Sequence, residues 1–321
     1  METASDQNYQ GLSILVTGGA GFIGHHLVNR LINRGGKVSV IDNLSTGRKD
    51  NLDPKAGFYA IDIRSPEITE IFKKEKPDIV FHLAAQPIVE SAYDNPRETI
   101  DVNVSGTVNI LEACRQSDNL ELLMVCSTDK AYGRSDNLPY TEETPLKGGH
   151  PYDVSKSAAD LITQAYFKTY GLPVSITRFS NVFGPGDTNL SRIIPGVFES
   201  ILEKKEFLIR SDGTMVREYT YVEDIVDGCV KISRNAGVCK GEAFNFGSKN
   251  IFSVIGIIEK IEQTLGLKVD YKILNKAKNE IPEQYLDWSK AKEKLGWQPR
   301  TSIEEGIKNS YDWYKKLFFY H

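Results

Sequence analysis

At 321 residues, 40% of them hydrophobic, the chain is long enough for one large domain or two coupled ones, and its core needs no covalent staples. The 39 Lys and Arg against 43 Asp and Glu leave a net charge of −4, which argues against nucleic acid or a membrane surface and favours a small soluble ligand. The opening METASDQNYQ lacks the basic-then-apolar order of a leader, and no apolar run is long enough to span a bilayer, so a cytoplasmic location is expected.

In chain order, SILVTG, KVSVID, GFYAID, DIVFHLAA, LELLMVCST, VSITRFSN and EAFNFGS read as short strands, alternating with amphipathic helical stretches. That alternation predicts an α/β fold, a parallel sheet with helices on both faces. The strands are continuous apolar runs, which is what burial on both faces requires. After about residue 180 the pattern loosens. GPGDTNLSRIIP and IRSDGTMVREYTYVED read as long loops with enough aromatic anchors to form the walls of a substrate site. The remainder, to LGWQPRTSIEEGIKNSYDWYKKLF, reads as a small mixed lobe closing with a helix. The division expected is residues 1–180, with part of 215–250 returning to them, against an interleaved lobe of 181–321.

Cys114, Cys126, Cys229 and Cys239 are scattered, and His25, His26, His82, His150 and His321 have no carboxylate or cysteine at ligand spacing. No protein-bound metal is predicted, and the thiols are expected reduced. His82, in FHLAA, reads as a packed histidine.

ILVTGGAGFIGHHLVNRLINRG orders a strand, a glycine turn and a helix. Gly18, Gly21 and Gly24 allow the tight turn, the approach of backbone to a pyrophosphate and close packing of helix on strand. The next strand ends in Asp42, near the spacing at which a carboxylate takes ribose hydroxyls. A carboxylate there repels the 2′-phosphate of NADP, so the expected cofactor is NAD. Arg48 reads as a solvated loop charge. Asp62, ending the third strand, reads either as an acceptor for the adenine amino group or as a turn former.

PYDVSKSAADLITQAYFKTYG reads as a helix stopped by Gly171. Tyr152 and Lys156, four apart, share one face, and an ammonium beside a phenol favours its ionisation. Upstream, CSTDKAYG sets Ser127, Thr128, Asp129 and Lys130 together at a strand end.

With TGGAGFIG, HLAA, NVSGTVNILEA, YDVSK, RFSNVFGPGD and REYTYVEDIVDG, the chain resembles the extended short-chain dehydrogenase/reductases, in particular the nucleotide-sugar epimerases and dehydratases. The resemblance covers nearly the whole chain. It implies a Rossmann-type, doubly wound parallel sheet with a smaller mixed C-terminal substrate lobe, tightly held NAD and a homodimer paired through NVSGTVNILEACRQ and the helix of Tyr152. Tyr152 would be the base that oxidises a sugar hydroxyl, Lys156 would hold the ribose and tune it, and Thr128 would bond the substrate oxygen. Phe22, Ile23, Asn43, Ile63, Leu83, Ala84, Ala85 and Asn103 would join the glycines, Asp42 and Asp62 around NAD. Asn181, Asn189, Arg192 and Arg217 would reach a nucleotide-diphosphate sugar; the plainer readings are a turn-forming Asn181 and an Arg217 paired with Glu218 or Glu223.

Enzymes of this kind that only epimerise carbon 4 usually carry small or hydroxyl residues at the positions of Asp129 and Lys130. A 4,6-dehydratase needs a further base at carbon 5 and an acid at the carbon 6 hydroxyl. Asp followed by Lys resembles the CDP-glucose 4,6-dehydratases, as do NLSRIIP, with Arg192, and NEIPEQYLD, which lacks the arginine usual in Asp-Glu dehydratases. The expectation is a lyase with Asp129 as acid and Lys130, if neutral, as base, or the reverse, or Asp129 in both steps. Competing readings are a UDP-sugar 4-epimerase, with Asp129 and Lys130 structural, and a non-catalytic NAD-binding sensor.

Overall fold

The computed structural model describes residues 8–276 and 281–319. The first seven residues of METASDQNYQ, Asn279 and Glu280 of NEIPEQYLD, and His321 lie outside the described residues. Along the chain run β1 (Ser13–Thr17), α1 (Phe22–Asn33), β2 (Lys37–Ile41), β3 (Gly57–Tyr59), α2 (Ile68–Glu75), β4 (Ile79–His82), α3 (Val89–Asp94), α4 (Pro96–Ile100), α5 (Gly106–Arg115), β5 (Leu122–Thr128) and α6 (Pro151–Tyr170). There follow β6 (Val174–Phe179), β7 (Asn181–Phe183), α7 (Ile193–Glu203), β8 (Phe207–Ile209), β9 (Val216–Tyr221), α8 (Val222–Arg234), α9 (Ala236–Cys239), β10 (Ala243–Phe246), β11 (Ile251–Ser253), α10 (Val254–Leu265), β12 (Tyr271–Ile273), β13 (Glu283–Gln284), α11 (Ser289–Leu295) and α12 (Ile303–Phe319).

The seven predicted strands form one seven-stranded sheet in the order β3-β2-β1-β4-β5-β6-β10, with every neighbouring pair parallel. The order reverses direction at β1 and β4, and a crevice opens there beyond the carboxyl ends of the strands. Burial on both faces explains the unbroken apolar runs. Ile14, Val16, Val40 and Phe81 pack with α1 and α8 on one face, and Leu15, Val80, Leu123 and Val125 pack with α2 and α5 on the other. Each fully buried aliphatic side chain of this kind stabilises the fold by about 1.5–3 kcal/mol.

A third core, built on Phe198, Ile257, Ile261, Ile307 and Tyr314, joins α7, α10 and α12. Over it lies a four-stranded sheet in which β9 carries β11, β13 and β7. The two stretches expected as loops are therefore more ordered than predicted. Ile193 already opens α7, whose apolar face belongs to the third core, and VREYTY is the central strand β9, running straight into α8. Its alternating Arg217, Tyr219 and Tyr221 have strand periodicity, masked in sequence by the charges beside it. The third strand also ends earlier than expected, at Tyr59, so Asp62 sits in the following turn. No helix among the described residues is long and apolar enough to cross a membrane.

Candidate active site

The glycine turn joins β1 to α1. Gly18 adopts φ +69°, and a Cβ there would meet the Ala84 nitrogen at 2.6 Å, so the turn and the strand end at HLAA touch backbone to backbone. A Cβ on Gly24 would strike the Gly18 carbonyl and come within 2.7 Å of the Gly19 Cα. Helix α1 is thus seated on β1 at a distance that only glycine permits. Gly21 stands at its N-cap, and its first turn holds no acidic residue, which leaves that end open to an anion.

Asp42 follows β2 and is buried. Its Oδ2 accepts from the Ala20 N–H at 3.0 Å and its Oδ1 from the Leu44 N–H at 2.8 Å. Burial pushes this carboxyl up, and the two N–H groups oppose the shift. Asp62 is a turn former and a cavity-lining residue at once. Arg64 grips both its oxygens, each at 2.9 Å, and holds the carboxyl down to about 2, while Asn43 donates to it at 2.9 Å.

A single cavity of about 1090 Å³ runs from this turn across the sheet to the C-terminal lobe. It is lined by Gly18, Gly21, Phe22, Ile23, Gly24, Asp42, Asn43, Asp62, Ile63, Leu83, Ala84 and Ala85 at one end. At the other are Thr128, Asp129, Lys130, Tyr152, Lys156, Asn181, Asn189, Arg192 and Arg217. One expected residue is absent. Asn103 lies beneath the cavity wall, where its Oδ1 accepts from the Gln86 N–H at 2.7 Å and its Nδ2 donates to the Gln86 carbonyl at 3.1 Å and to Ser155 Oγ at 2.9 Å. Its amide braces the wall through these bonds. His82 is a packed histidine, held between Thr17 Oγ1 at 2.7 Å and Thr107 Oγ1 at 3.0 Å, and burial lowers it to about 3.

Helix α6 starts at Pro151, so Tyr152 and Lys156 stand in its first two turns facing β5. Lys156 Nζ donates to the Cys126 carbonyl at 2.6 Å, and burial pushes its ammonium down. Burial pushes the Tyr152 phenol up, and the Arg192 cation opposes that shift.

Strand β5 ends at Thr128, and a single 3₁₀ turn, Asp129–Tyr132, follows. Thr128 Oγ1 donates to Asp129 Oδ1 at 3.1 Å and receives the Lys130 N–H at 3.4 Å. Asp129 is only 1% exposed, and its Oδ2 has no hydrogen-bond partner among the described residues, a condition shared by Ser127 Oγ beside it. Lys130 Nζ donates to Gln284 Oε1 at 3.2 Å. On the far wall, Arg192 Nη1 pairs with buried Asp187 at 3.0 Å, Asn189 caps its own loop through Ser191, and Asn181 Nδ2 donates to the Glu218 carbonyl at 3.3 Å. Arg217 Nη1 donates to the Val216 carbonyl at 2.8 Å. Its chain neighbour Glu218 instead accepts from the Ser248 and Leu286 N–H groups, and Glu223 pairs with Arg30 and His26.

Gln284, Asp153, Asp187, Arg210 and Glu90 also line the cavity, and sequence reasoning does not single them out. Asp187 follows the quoted glycines and could have been suspected. Gln284 carries no local signal, because only pairing of β13 with β9 brings it to Lys130.

Residues 15–310 match the family model described as GDP-mannose 4,6-dehydratase. The chain belongs to the NAD-dependent nucleotide-sugar epimerases and dehydratases of the extended short-chain dehydrogenase/reductase family. A putative UDP-glucose 4-epimerase of Methanocaldococcus jannaschii is 35% identical over 304 residues, 94% of this chain and 98% of that one. Among solved structures, the UDP-glucose 4-epimerase of Thermotoga maritima with UDP-glucose superposes with a TM-score of 0.88 at 33% identity, covering 95% of this chain and 99% of that one. The dTDP-glucose 4,6-dehydratase DesIV of Streptomyces venezuelae, with NAD bound, has a TM-score of 0.88 at 29% identity, covering 94% and 97%.

NAD is the cofactor of this family member, and the chain fits it. The close-packed glycine turn leaves room for a pyrophosphate, and Asp42 stands where the ribose diol would lie. Bound there, NAD supplies the acceptor for a hydride from the sugar and its later return. Tyr152, Lys156 and Thr128 line the same cavity as the glycine turn.

Proposed function

We propose that the enzyme is a nucleotide-sugar 4,6-dehydratase, a hydro-lyase that converts an NDP-hexose, with CDP-glucose favoured, to the NDP-4-keto-6-deoxyhexose. The observation that carries this reading is the Asp129–Lys130 pair. Two proton-transfer groups line the same cavity as Tyr152, beyond what oxidation at carbon 4 requires. In this scheme Tyr152 takes the carbon 4 hydroxyl proton, and Thr128 bonds the same oxygen. Lys130 then removes the carbon 5 proton, acidified by the new ketone. The electrons of that C–H bond become the C5–C6 double bond as the C6–O bond breaks, and Asp129 gives its proton to the leaving hydroxyl, so one water departs. Lys130 returns its proton to carbon 5 as carbon 6 is reduced.

The same proposal divides the chain into a cofactor domain, residues 1–180 with part of 215–250, and a substrate lobe in 181–321. Arg192 and Arg217 would serve the nucleotide diphosphate, with the multidentate geometry that phosphate oxygens favour. A homodimer in the cytoplasm, within polysaccharide biosynthesis, completes it.

A second reading is UDP-sugar 4-epimerase, favoured by the relatives that bear that name. Incubation with CDP-, UDP-, dTDP- and GDP-glucose, followed by mass spectrometry, separates the two. The dehydratase product has lost one water, whereas an epimerised product of unchanged mass overturns the reading.

A further inference from the structure

Gln284 is 1% exposed and lines the reaction end of the cavity, although it belongs to β13 in the C-terminal lobe. Its backbone is held on both sides. It pairs with Arg217 of β9, and two residues on, the Leu286 N–H donates to the carboxylate of Glu218 at 3.2 Å. On the other side the Tyr285 carbonyl accepts from the Tyr140 N–H at 3.0 Å, and the Asp287 N–H donates to the Tyr140 carbonyl at 2.8 Å. Tyr140 is itself fully buried, stacks on Tyr132 at 4.9 Å, and donates its hydroxyl proton to the Gly133 carbonyl at 2.6 Å. The turn that carries Asp129 and Lys130 is therefore braced against residues more than 150 positions away in sequence.

The Gln284 amide presents Oε1 to Lys130 Nζ at 3.2 Å, an acceptor for an N–H of the charged or the neutral amine. The Nε2 end lies towards the Tyr140 phenol and makes no hydrogen bond among the described residues.

We propose that Gln284 is a positioning residue for the elimination step: its amide oxygen takes one N–H of Lys130 and thereby aims the amine's remaining valences into the cavity beside Asp129. The inference rests on the reading of Lys130 as the carbon 5 base. A neutral amine with one N–H held by Gln284 keeps its lone pair free and restricted in direction, which is what proton abstraction from a fixed carbon needs. Of the charged and titratable groups around this turn, Asp153 on α6 acts on Lys130 directly, while Tyr152 and Asp153 on α6, Glu218 on β9 and Tyr140 all feel the charge of Asp129, and Arg217 on β9 acts on Tyr140.

The test uses the full-length enzyme with NAD and, in turn, CDP-, UDP-, dTDP- and GDP-glucose. It compares wild type with Gln284→Leu, Gln284→Glu and Lys130→Ala. Three quantities are read across pH: NADH formed on carbon 4 oxidation, solvent deuterium taken up at carbon 5, and product that has lost water. Gln284→Leu should slow deuterium uptake and water loss about 10- to 100-fold, a typical cost of misplacing a reacting group, with carbon 4 oxidation within about twofold of wild type. Gln284→Glu keeps the acceptor but adds a carboxylate that favours the ammonium. Its rate of water loss should therefore recover towards wild type as pH rises, with the rising limb displaced to higher pH. Equal losses in oxidation and elimination, or no displaced limb in Gln284→Glu, would reduce Gln284 to a structural residue and overturn the inference. Wild type that yields no dehydrated product, or Lys130→Ala that loses none of its elimination rate, overturns the reading of Lys130 and the inference with it. Those two failures are told apart by the wild-type and Lys130→Ala arms.

Discussion

The two ends of the cavity handle their polar groups in opposite ways. At the cofactor end both oxygens of Asp42 accept backbone N–H groups, and both ring nitrogens of His82 meet threonine hydroxyls. At the reaction end Asp129 Oδ2, Ser127 Oγ and Gln284 Nε2 are buried with no hydrogen-bond partner among the described residues. A buried polar atom left unsatisfied costs about 1–3 kcal/mol. A fold retains several together where they serve something other than its own stability. The polar groups of the cofactor end are satisfied within the fold, and those of the reaction end are held in reserve.

The largest effect expected from that contrast is at Lys130. Replacement by Ala should lower the rate of water loss by a factor of about 10²–10⁴, the usual contribution of a positioned acid or base. NADH formation from the first oxidation should stay near wild type, because Thr128, Tyr152 and Lys156 are untouched. Single-turnover absorbance alongside mass spectrometry of the product reads both. Unchanged turnover would mean that the reserve at the reaction end is structural.

How much of this was legible in sequence follows the same division. The seven strands and the glycine turn are local patterns, and each was visible because burial on both faces and a backbone contact at Gly18 dictate residue types over a few positions. Thr128, Asp129 and Lys130 were legible as a cluster for the same reason, being consecutive. Gln284 was not, since its place depends on a parallel pairing with β9 across 67 residues. At Asn103 the resemblance implies a cofactor contact, and the fold adds what sequence does not show, that its amide bonds Gln86 and Ser155. Strand β9 reads as loop in sequence because Arg217, Glu218, Glu223 and Asp224 hide its alternation, and inside the sheet the Glu218 carboxylate is met by the N–H groups of Ser248 and Leu286.

At the cofactor end, Asp42→Ala should weaken NAD roughly 10- to 100-fold, the worth of hydrogen bonds to a charged group, and should narrow the preference over NADP. Calorimetric titration of both dinucleotides measures this. The contrast between the two ends would break if Asp42→Ala impaired water loss more than it impaired NAD binding.

The smallest effect is also the one that sets the ends against each other by sign. His82, in the cofactor half, is lowered by burial to about 3, so the folded protein keeps it neutral while the unfolded chain takes up a proton below about 6.5. Its contribution to stability is present above that value and is lost as pH falls towards 3. Glu218, beside the reaction end, is raised by burial to about 8, against an unfolded value of 4.5. Its contribution is fully present below 4.5 and is lost as pH rises through 8. One unit of pH below 6.5 therefore removes about 1.4 kcal/mol through His82 alone. Urea unfolding of the apo-protein at a series of pH values should show His82→Gln flattening the acid side of the profile and Glu218→Gln flattening the side from pH 5 to 8. Each slope is read within one variant, so a constant cost of either substitution does not mask it. If Glu218→Gln leaves the slope between pH 5 and 8 unchanged, the N–H groups of Ser248 and Leu286 outweigh burial. Glu218 would then clamp the Gln284 strand as a carboxylate throughout the working range.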